Sequence, residues 1–391
     1  MTAPLQGLKV IEMARILAGP WIGQTLADLG AEVIKLESPG GDDTRNWGPP
    51  FVKRADGSDG DAAYFHSANR GKKSVIVDFK TQEGRDTIRA LVADVDVFVE
   101  NFKVGGLAKY GLDYASLREL NPKLIYLSLT GFGQTGPYAH KAGYDFMIQG
   151  LAGIMDLTGD PDGQPQKMGV AFADIFTGLY GVIAIQSALM VRAQTGKGQH
   201  IDMALFDAMS AVLANQALNY LVSGTSPTRM GNAHPNIVPY QVFPSSDGHL
   251  IIATGSQPQW SKMCQVLGLD ALIDDARFRT NQDRVKNRDE LAALISAKTS
   301  LRTRDDMLAE FDAKFIPAGP INSVEDTFTD PQILQRGLRV DVPDGEGVMV
   351  PSVRTPIVFS DSTLQLDRAS PGLGEHTDEV LNGLNLKETK A

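Results

Sequence analysis

A single cysteine, Cys264, stands in 391 residues, which excludes an intrachain disulfide framework and any cysteine-rich metal site. Positive charge is also short: 37 Lys+Arg against 47 Asp+Glu leave a net charge of −10. A surface of that sign repels phosphate backbones and anionic lipid. Neither nucleic acid nor a membrane is therefore expected as a partner, and an anionic ligand must be held by a local site. No G-x-S-x-G elbow, H-E-x-x-H pair or Walker A loop occurs. The 6 histidines (66, 140, 200, 234, 249 and 376) lack ligand-like spacing, so no metal site is expected. The N-terminal MTAPLQGLKVIEM has no basic stretch followed by an apolar core, so no signal peptide is read there. With the lone thiol, this points to a reducing, cytoplasmic setting.

What is present is a folded α/β pattern, with 42% hydrophobic and 21% charged residues. Val- and Ile-rich runs at Leu8–Met13, Glu32–Glu37, Ser74–Phe79, Asp96–Glu100 and Leu124–Thr130 read as strands, with helices over 21–29 and 83–93. That alternation predicts a parallel sheet covered on both faces. Helices are expected from Asp145 to Val222. Within them Ile175–Val191 is apolar enough to resemble a membrane span, though a buried core helix or a packed subunit interface is the better reading. Residues 224–248, rich in Pro and Gly, read as loop or linker, followed by a strand in HLIIATGS and helices over 258–313. The expected division is a large domain over 1–200 with 330–391 returning to it, a linker over 201–224 and a small domain over 225–320. Short β segments are expected beyond Pro317, and a helix at the C-terminal end.

In an open parallel sheet, ligands bind beyond the carboxyl ends of the strands. Here that means Ala14–Pro20, Ser38–Gly41, Lys80, Asn101–Phe102 and Gly131–Tyr138. Arg15, Arg45, Lys80, Lys103, Lys109 and Lys141 lie in or near these loops, either as a rim for a phosphorylated ligand or as solvated surface cations. GFGQTG at 131–136 has dinucleotide-like glycine spacing, but Pro137 and a polar stretch stand where the helix should begin, which leaves NAD binding a weak reading. Asp174 stands at the foot of the apolar helix. It reads either as an N-cap or as a carboxylate nucleophile that apolar neighbours strip of water.

The ordered motifs carry a resemblance. LAGP (17–20), GAEVIKLESPGGDDTRNWGPPF (30–51), NRGKKSVIVDFK (69–80), VENF (99–102), GFGQTGPYAHKAGYD (131–145), TGKGQHIDMALFDA (195–208), GNAHPNIVPYQVFPSSDG (231–248), GPINSVEDTFTDPQILQRG (319–337) and LGEHTDEVL (373–381) resemble the class III CoA-transferases, the formyl-CoA and carnitine-CoA transferase family. The GDDTRNWGPPF and IVPYQVF stretches look most like members that move CoA from succinyl-CoA to another dicarboxylate. The resemblance implies a Rossmann-like parallel-sheet large domain plus a smaller α+β domain, with two chains interlocked as rings in a homodimer. It implies acyl-CoA and small carboxylic acids as substrates, with no tightly bound cofactor. Asp174 would be the nucleophile, with Tyr144 and Asp145 beside it. Leu17, Ala18, Val77, Asp78, Phe79, Lys80, Asn101, Phe102, Lys109 and Lys141 would line the CoA site.

Three departures stand out. Ser38 occupies a position that is often a cation in the family, with Arg45 as the substitute considered. The glycine-rich loop that covers the site in formyl-CoA transferases has its nearest match in TGSQPQW (254–260), where Gly255 and Ser256 are the implied active-site neighbours. Arg15 is the candidate cation for a second carboxylate on the acid. Two other readings share the CoA site: an α-methylacyl-CoA racemase, against which Tyr144 replaces the expected histidine, and a non-catalytic CoA-ester-binding protein, which has no need of a desolvated acid.

Overall fold

The computed structural model describes residues 2–384. They fall into two compact units. The first runs to Ile154, continues over Lys167–Leu218 and resumes from Gln332; the second comprises Met155–Gln166 and Asn219–Pro331.

The first unit is built on six parallel strands: β1 (Lys9–Glu12), β2 (Glu32–Glu37), β3 (Lys73–Ile76), β4 (Val97–Glu100), β5 (Ile125–Thr130) and β6 (His200–Ala204). Between them lie α1 (Ala18–Asp28), α2 (Gln82–Val92), α3 (Asp145–Leu151) and α4 (Phe172–Thr195), and α5 (Leu205–Ala211) follows. The strand order is β3-β2-β1-β4-β5-β6, the doubly wound arrangement, so the order reverses between β1 and β4. Successive side chains of a strand face opposite ways, and here both faces are buried. Val10, Val33, Val97 and Leu127 pack beneath α1 and α4, whereas Ile11, Ile34, Phe98 and Tyr126 pack beneath α2.

α4 has one buried edge and one open face. Gly178 and Gly181 let it lie directly on α1, since a Cβ at Gly181 would stand 2.5 Å from Ile22 Cδ1. Leu179, Tyr180, Ile183, Met190 and Val191 remain exposed on the other side. The helix is therefore not a wholly buried core helix.

The expected linker over 201–224 is corrected by β6 and α5. Tyr126 to Thr130 pair with His200 to Ala204, and Leu205 and Met209 enter the core. β6 gives no apolar run in the sequence because it is an edge strand in which exposed His200 and Asp202 alternate with the more buried Ile201 and Met203. Residues 332–384 belong to this unit through a hairpin (Arg339–Pro343 with Met349–Val353) and a helix, Thr377–Asn382. That helix is tied to β3 by a Lys73–Glu379 ion pair at 2.8 Å. Residues 385–391 of the expected returning segment lie outside the described residues.

The second unit holds a three-stranded antiparallel sheet, Tyr240–Ser245, Gly248–Ala253 and Ala318–Gly319, with helices over Gln257–Leu267, Arg288–Thr299 and Arg304–Ala313. Trp260, Phe243, Phe278 and Phe311 fill its core. The strand over 240–245 falls in the stretch read as loop. It lies at the sheet edge, where Pro244 can be tolerated, and the prolines concealed it.

Candidate active site

Asp174 is the third residue of α4, and the residue before the helix, Ala171, offers no side-chain cap. The cap comes from the neighbouring helix instead. Asp145, first residue of α3, accepts the N–H of Ala173 at 2.8 Å and that of Asp174 at 3.4 Å. One turn further on, fully buried Gln149 donates to the other oxygen of Asp145 at 2.7 Å and accepts the Met168 N–H at 2.9 Å. The N-cap reading of Asp174 is therefore overturned: Asp145 performs that task.

The Asp174 carboxylate is left without a cation or a hydrogen-bond donor among the described residues. Burial, and then the negative charge of Asp145, push its pKa up to about 7. Tyr64 lies in the same field. Burial and the charges of Asp174, Asp145 and Asp42 push its phenol up to about 12, so the hydroxyl keeps its proton. Trp47 meets the Tyr64 ring edge-on at 5.2 Å. At neutral pH such a site holds a large fraction of ionised, poorly solvated carboxylate, the form suited to attack a carbonyl.

The second component lies where the strand order reverses. A cavity of about 440 Å³ opens beyond the ends of β1, β2 and β3, lined by Arg15, Ser38, Val77, Asp78, Phe79, Lys80 and Phe102. Phe79 packs edge-to-face on Phe102 at 5.4 Å and on Tyr110 at 5.2 Å, and the Lys109 ammonium sits over Tyr110 at 4.8 Å. Lys80 is exposed and has no ion pair among the described residues. Arg15 is exposed too, and its Asp43 partner, 3.0 Å away, is equally open. Such a pair is worth about 0–1 kcal/mol and yields readily to a ligand.

Other expected residues are placed differently. The side chains of Leu17 and Ala18 are buried, so only their backbone can face a ligand. The Asn101 amide is spent on the Arg15 backbone. Neither Lys141, which lies over Tyr138 at 3.8 Å, nor Lys109, which lies over Tyr110, is in the cavity wall. Arg45 cannot replace the cation missing at Ser38. It is buried, bonded to Glu37 at 2.6 Å and Asp61 at 2.5 Å, and laid over the Phe65 ring. Tyr144 is 65% exposed. Gly255 and Ser256 belong to the second unit, where both their N–H groups donate to Gln259 Oε1, at 3.0 and 3.1 Å. Gly131 of the GFGQTG loop is explained by close passage: a Cβ there would stand 2.5 Å from Gly143 Cα. No helix begins until Asp145, so the dinucleotide reading loses its phosphate-binding helix end.

Sequence reasoning missed Tyr64, Gln149 and Glu100. Glu100 is buried, which pushes it up to about 7, and it accepts the Phe102 N–H at 2.7 Å. Only Gln149 had a legible signal, its one-turn spacing from Asp145.

Asp174 and Asp145 do not line the cavity; the acid at the foot of α4 and the cavity at the sheet's reversal point are two separate features of the first unit that bear on chemistry. The model of CoA-transferase family III matches residues 5–377, and the chain belongs to that family. Among curated relatives, the succinate–glutarate CoA-transferase of Agrobacterium fabrum is 57% identical over 389 residues, covering 99% of this chain and 97% of the relative. The succinyl-CoA:glutarate CoA-transferase of Mus musculus is 42% identical over 381 residues, covering 97% and 86%. Among solved structures, a CaiB/BaiF family protein from Brucella suis matches with a TM-score of 0.88 at 62% identity, covering 98% of this chain and all of that one.

Proposed function

We propose that the chain moves CoA from succinyl-CoA to a second dicarboxylic acid, with Asp174 as the nucleophile. The observation that carries this is the Asp174 carboxylate itself, desolvated and without a paired cation among the described residues, at the foot of a helix whose first N–H groups Asp145 caps. Family membership and the names of the two relatives support the substrates.

In this reading the Asp174 carboxylate attacks the thioester carbonyl of succinyl-CoA. The C–S bond breaks, leaving a succinyl–aspartyl anhydride and CoA thiolate. The thiolate then attacks the aspartyl carbonyl, succinate leaves, and an aspartyl-CoA thioester remains. An acceptor carboxylate displaces the thiolate to form a new anhydride. The thiolate finally takes the acceptor's acyl group and frees Asp174. One thioester replaces another, so the free-energy change is near zero. The Tyr64 hydroxyl keeps its proton in the field of Asp174, and in this reading it serves as the donor to oxyanions formed there. Val77–Lys80, Phe102 and Lys109 supply apolar, aromatic and cationic contacts for CoA, with Lys80 in place of the cation missing at position 38. Arg15 meets the second carboxylate of the acid.

Two chains form the working unit, interlocked as rings as in the family the sequence resembles. The apolar face of α4 (Leu179, Tyr180, Ile183, Met190, Val191) supports an interface, because a contiguous exposed apolar patch of that kind marks an association surface. Light scattering at micromolar protein should give a dimer mass. A cytoplasmic location is in keeping with the single buried thiol, Cys264.

The test is exchange of isotopically labelled succinate into succinyl-CoA with no other acid present. Asp174 chemistry requires that exchange in wild type and its loss in Asp174→Ala. Persistent exchange in the variant overturns the assignment. A screen of glutarate, itaconate, malate, mesaconate and hydroxymethylglutarate then ranks acceptors. In Arg15→Ala the KM of dicarboxylates should rise while that of monocarboxylates stays put; an equal effect on both removes Arg15 from that role.

A further inference from the structure

The loop joining β1 to α1 contains a conformational outlier. Ile16 has φ of +75°, a left-handed backbone that a β-branched residue adopts only under constraint. Three groups supply the constraint. Asn101, just past β4, accepts the Arg15 N–H through Oδ1 at 3.0 Å and donates from Nδ2 to the Arg15 carbonyl at 2.8 Å. Asp42 accepts the Ile16 N–H at 3.3 Å, and Lys35 donates to the Ala14 carbonyl at 2.9 Å. The loop then turns so tightly into α1 that a Cβ at Gly19 would stand 2.2 Å from Ala14 Cβ.

Asn101 bridges the two strands between which the sheet order reverses, and its neighbours on each side, Arg15 and Phe102, line the cavity there. We propose that Asn101 is a positioning residue: its carboxamide holds Arg15 and Ile16 in the left-handed turn that shapes the CoA cavity, rather than itself recognising CoA. The amide matches both backbone polar groups of Arg15, one donor to one acceptor, as a side chain does when its task is to fix a loop. The role rests on the reading of this cavity as the CoA site.

The strain of a left-handed non-glycine residue corresponds to roughly 5- to 30-fold in an equilibrium. Removing the clamp should therefore release the loop, and removing the strain should make the clamp dispensable. CoA binding to the full-length protein, measured by titration calorimetry, reads this without any acceptor acid or turnover. Asn101→Ala should weaken CoA binding by about 10-fold while leaving the melting temperature close to wild type. Adding Ile16→Gly or Ile16→Asn, residues at ease in the left-handed region, should restore the affinity to within about threefold of wild type. Unchanged affinity in Asn101→Ala overturns the positioning role. So does a double variant that binds as weakly as Asn101→Ala, since a lost direct contact cannot be rescued at residue 16. Wild-type protein that fails to bind CoA overturns the cavity assignment beneath the proposal, and the role with it.

Discussion

Two regions of the first unit bury carboxylates, and they treat them in opposite ways. Beneath the loop from β1 to α1, Glu12 Oε1 accepts from Lys35 and from Lys72, both at 3.0 Å, and Lys35 reaches Asp42 at 3.0 Å, all four side chains being buried. Lys72 also donates to the Pro20 carbonyl and Asn69 Oδ1, both at 2.9 Å. Burial alone would lower the Lys35 ammonium, but Glu12, Asp42 and Glu37 overcome it and hold it above its ordinary value. Lys72 is less well compensated: burial takes it down to about 8. At the start of α4, by contrast, Asp174 lies in the field of a second carboxylate and near a phenol that keeps its proton, with no cation paired to it among the described residues. One region uses its charges to hold a loop, and the other leaves a carboxylate unmatched, as the proposed nucleophile requires.

The sharpest way to break this contrast is to remove the unmatched carboxylate. Asp174→Ala should lower turnover by on the order of 10⁴-fold or more in a CoA-exchange assay, with the fold intact by circular dichroism. Next comes the compensated cluster. Glu12→Gln strips the charge shared by Lys35 and Lys72 and should cost about 3–5 kcal/mol in denaturant unfolding, because buried ammoniums are left unmatched. If the loss is under about 1 kcal/mol, the cluster is not the loop's foundation.

A smaller effect of opposite sign is expected at the reactive site. The pKa of Asp174 is raised by folding, so its contribution to stability is full below about pH 4 and is lost as pH rises through about 7. Asp174→Asn should therefore stabilise the protein by on the order of 1–2 kcal/mol at pH 8, with no gain at pH 4. The same pKa sets the acid limb of kcat/KM, which should rise through about pH 7. In Asp145→Asn one source of negative charge is gone while an oxygen still caps α4, so that limb should move to lower pH. A limb that stays fixed would mean that burial alone sets it.

The sheet was legible because strands buried on both faces read as unbroken runs of Val, Ile and Leu; Glu32–Glu37 has the same bounds in sequence and structure. The strand at His200–Ala204 was not, because an edge strand alternates polar and apolar residues and the run disappears. Asp174 was conspicuous as an acid ahead of an apolar helix. Its cap was invisible, because Asp145 stands 29 residues earlier in the chain and reaches α4 only through folding. Tyr64 carries no spacing signal, since its role arises from the charges it faces. Arg45 misled for a related reason: a basic residue in a strand-end loop looks available until Glu37, Asp61 and the Phe65 ring are found around it.

The central claim, that Asp174 carries the transferred group, is tested most directly by intact-protein mass spectrometry after incubation with succinyl-CoA alone. A mass increase matching a CoA thioester or a succinyl group, mapped to Asp174 and absent from Asp174→Ala, is the expected result. An adduct that persists in the variant or maps to another residue would contradict the claim, as would wild-type protein that exchanges succinate without ever carrying an adduct.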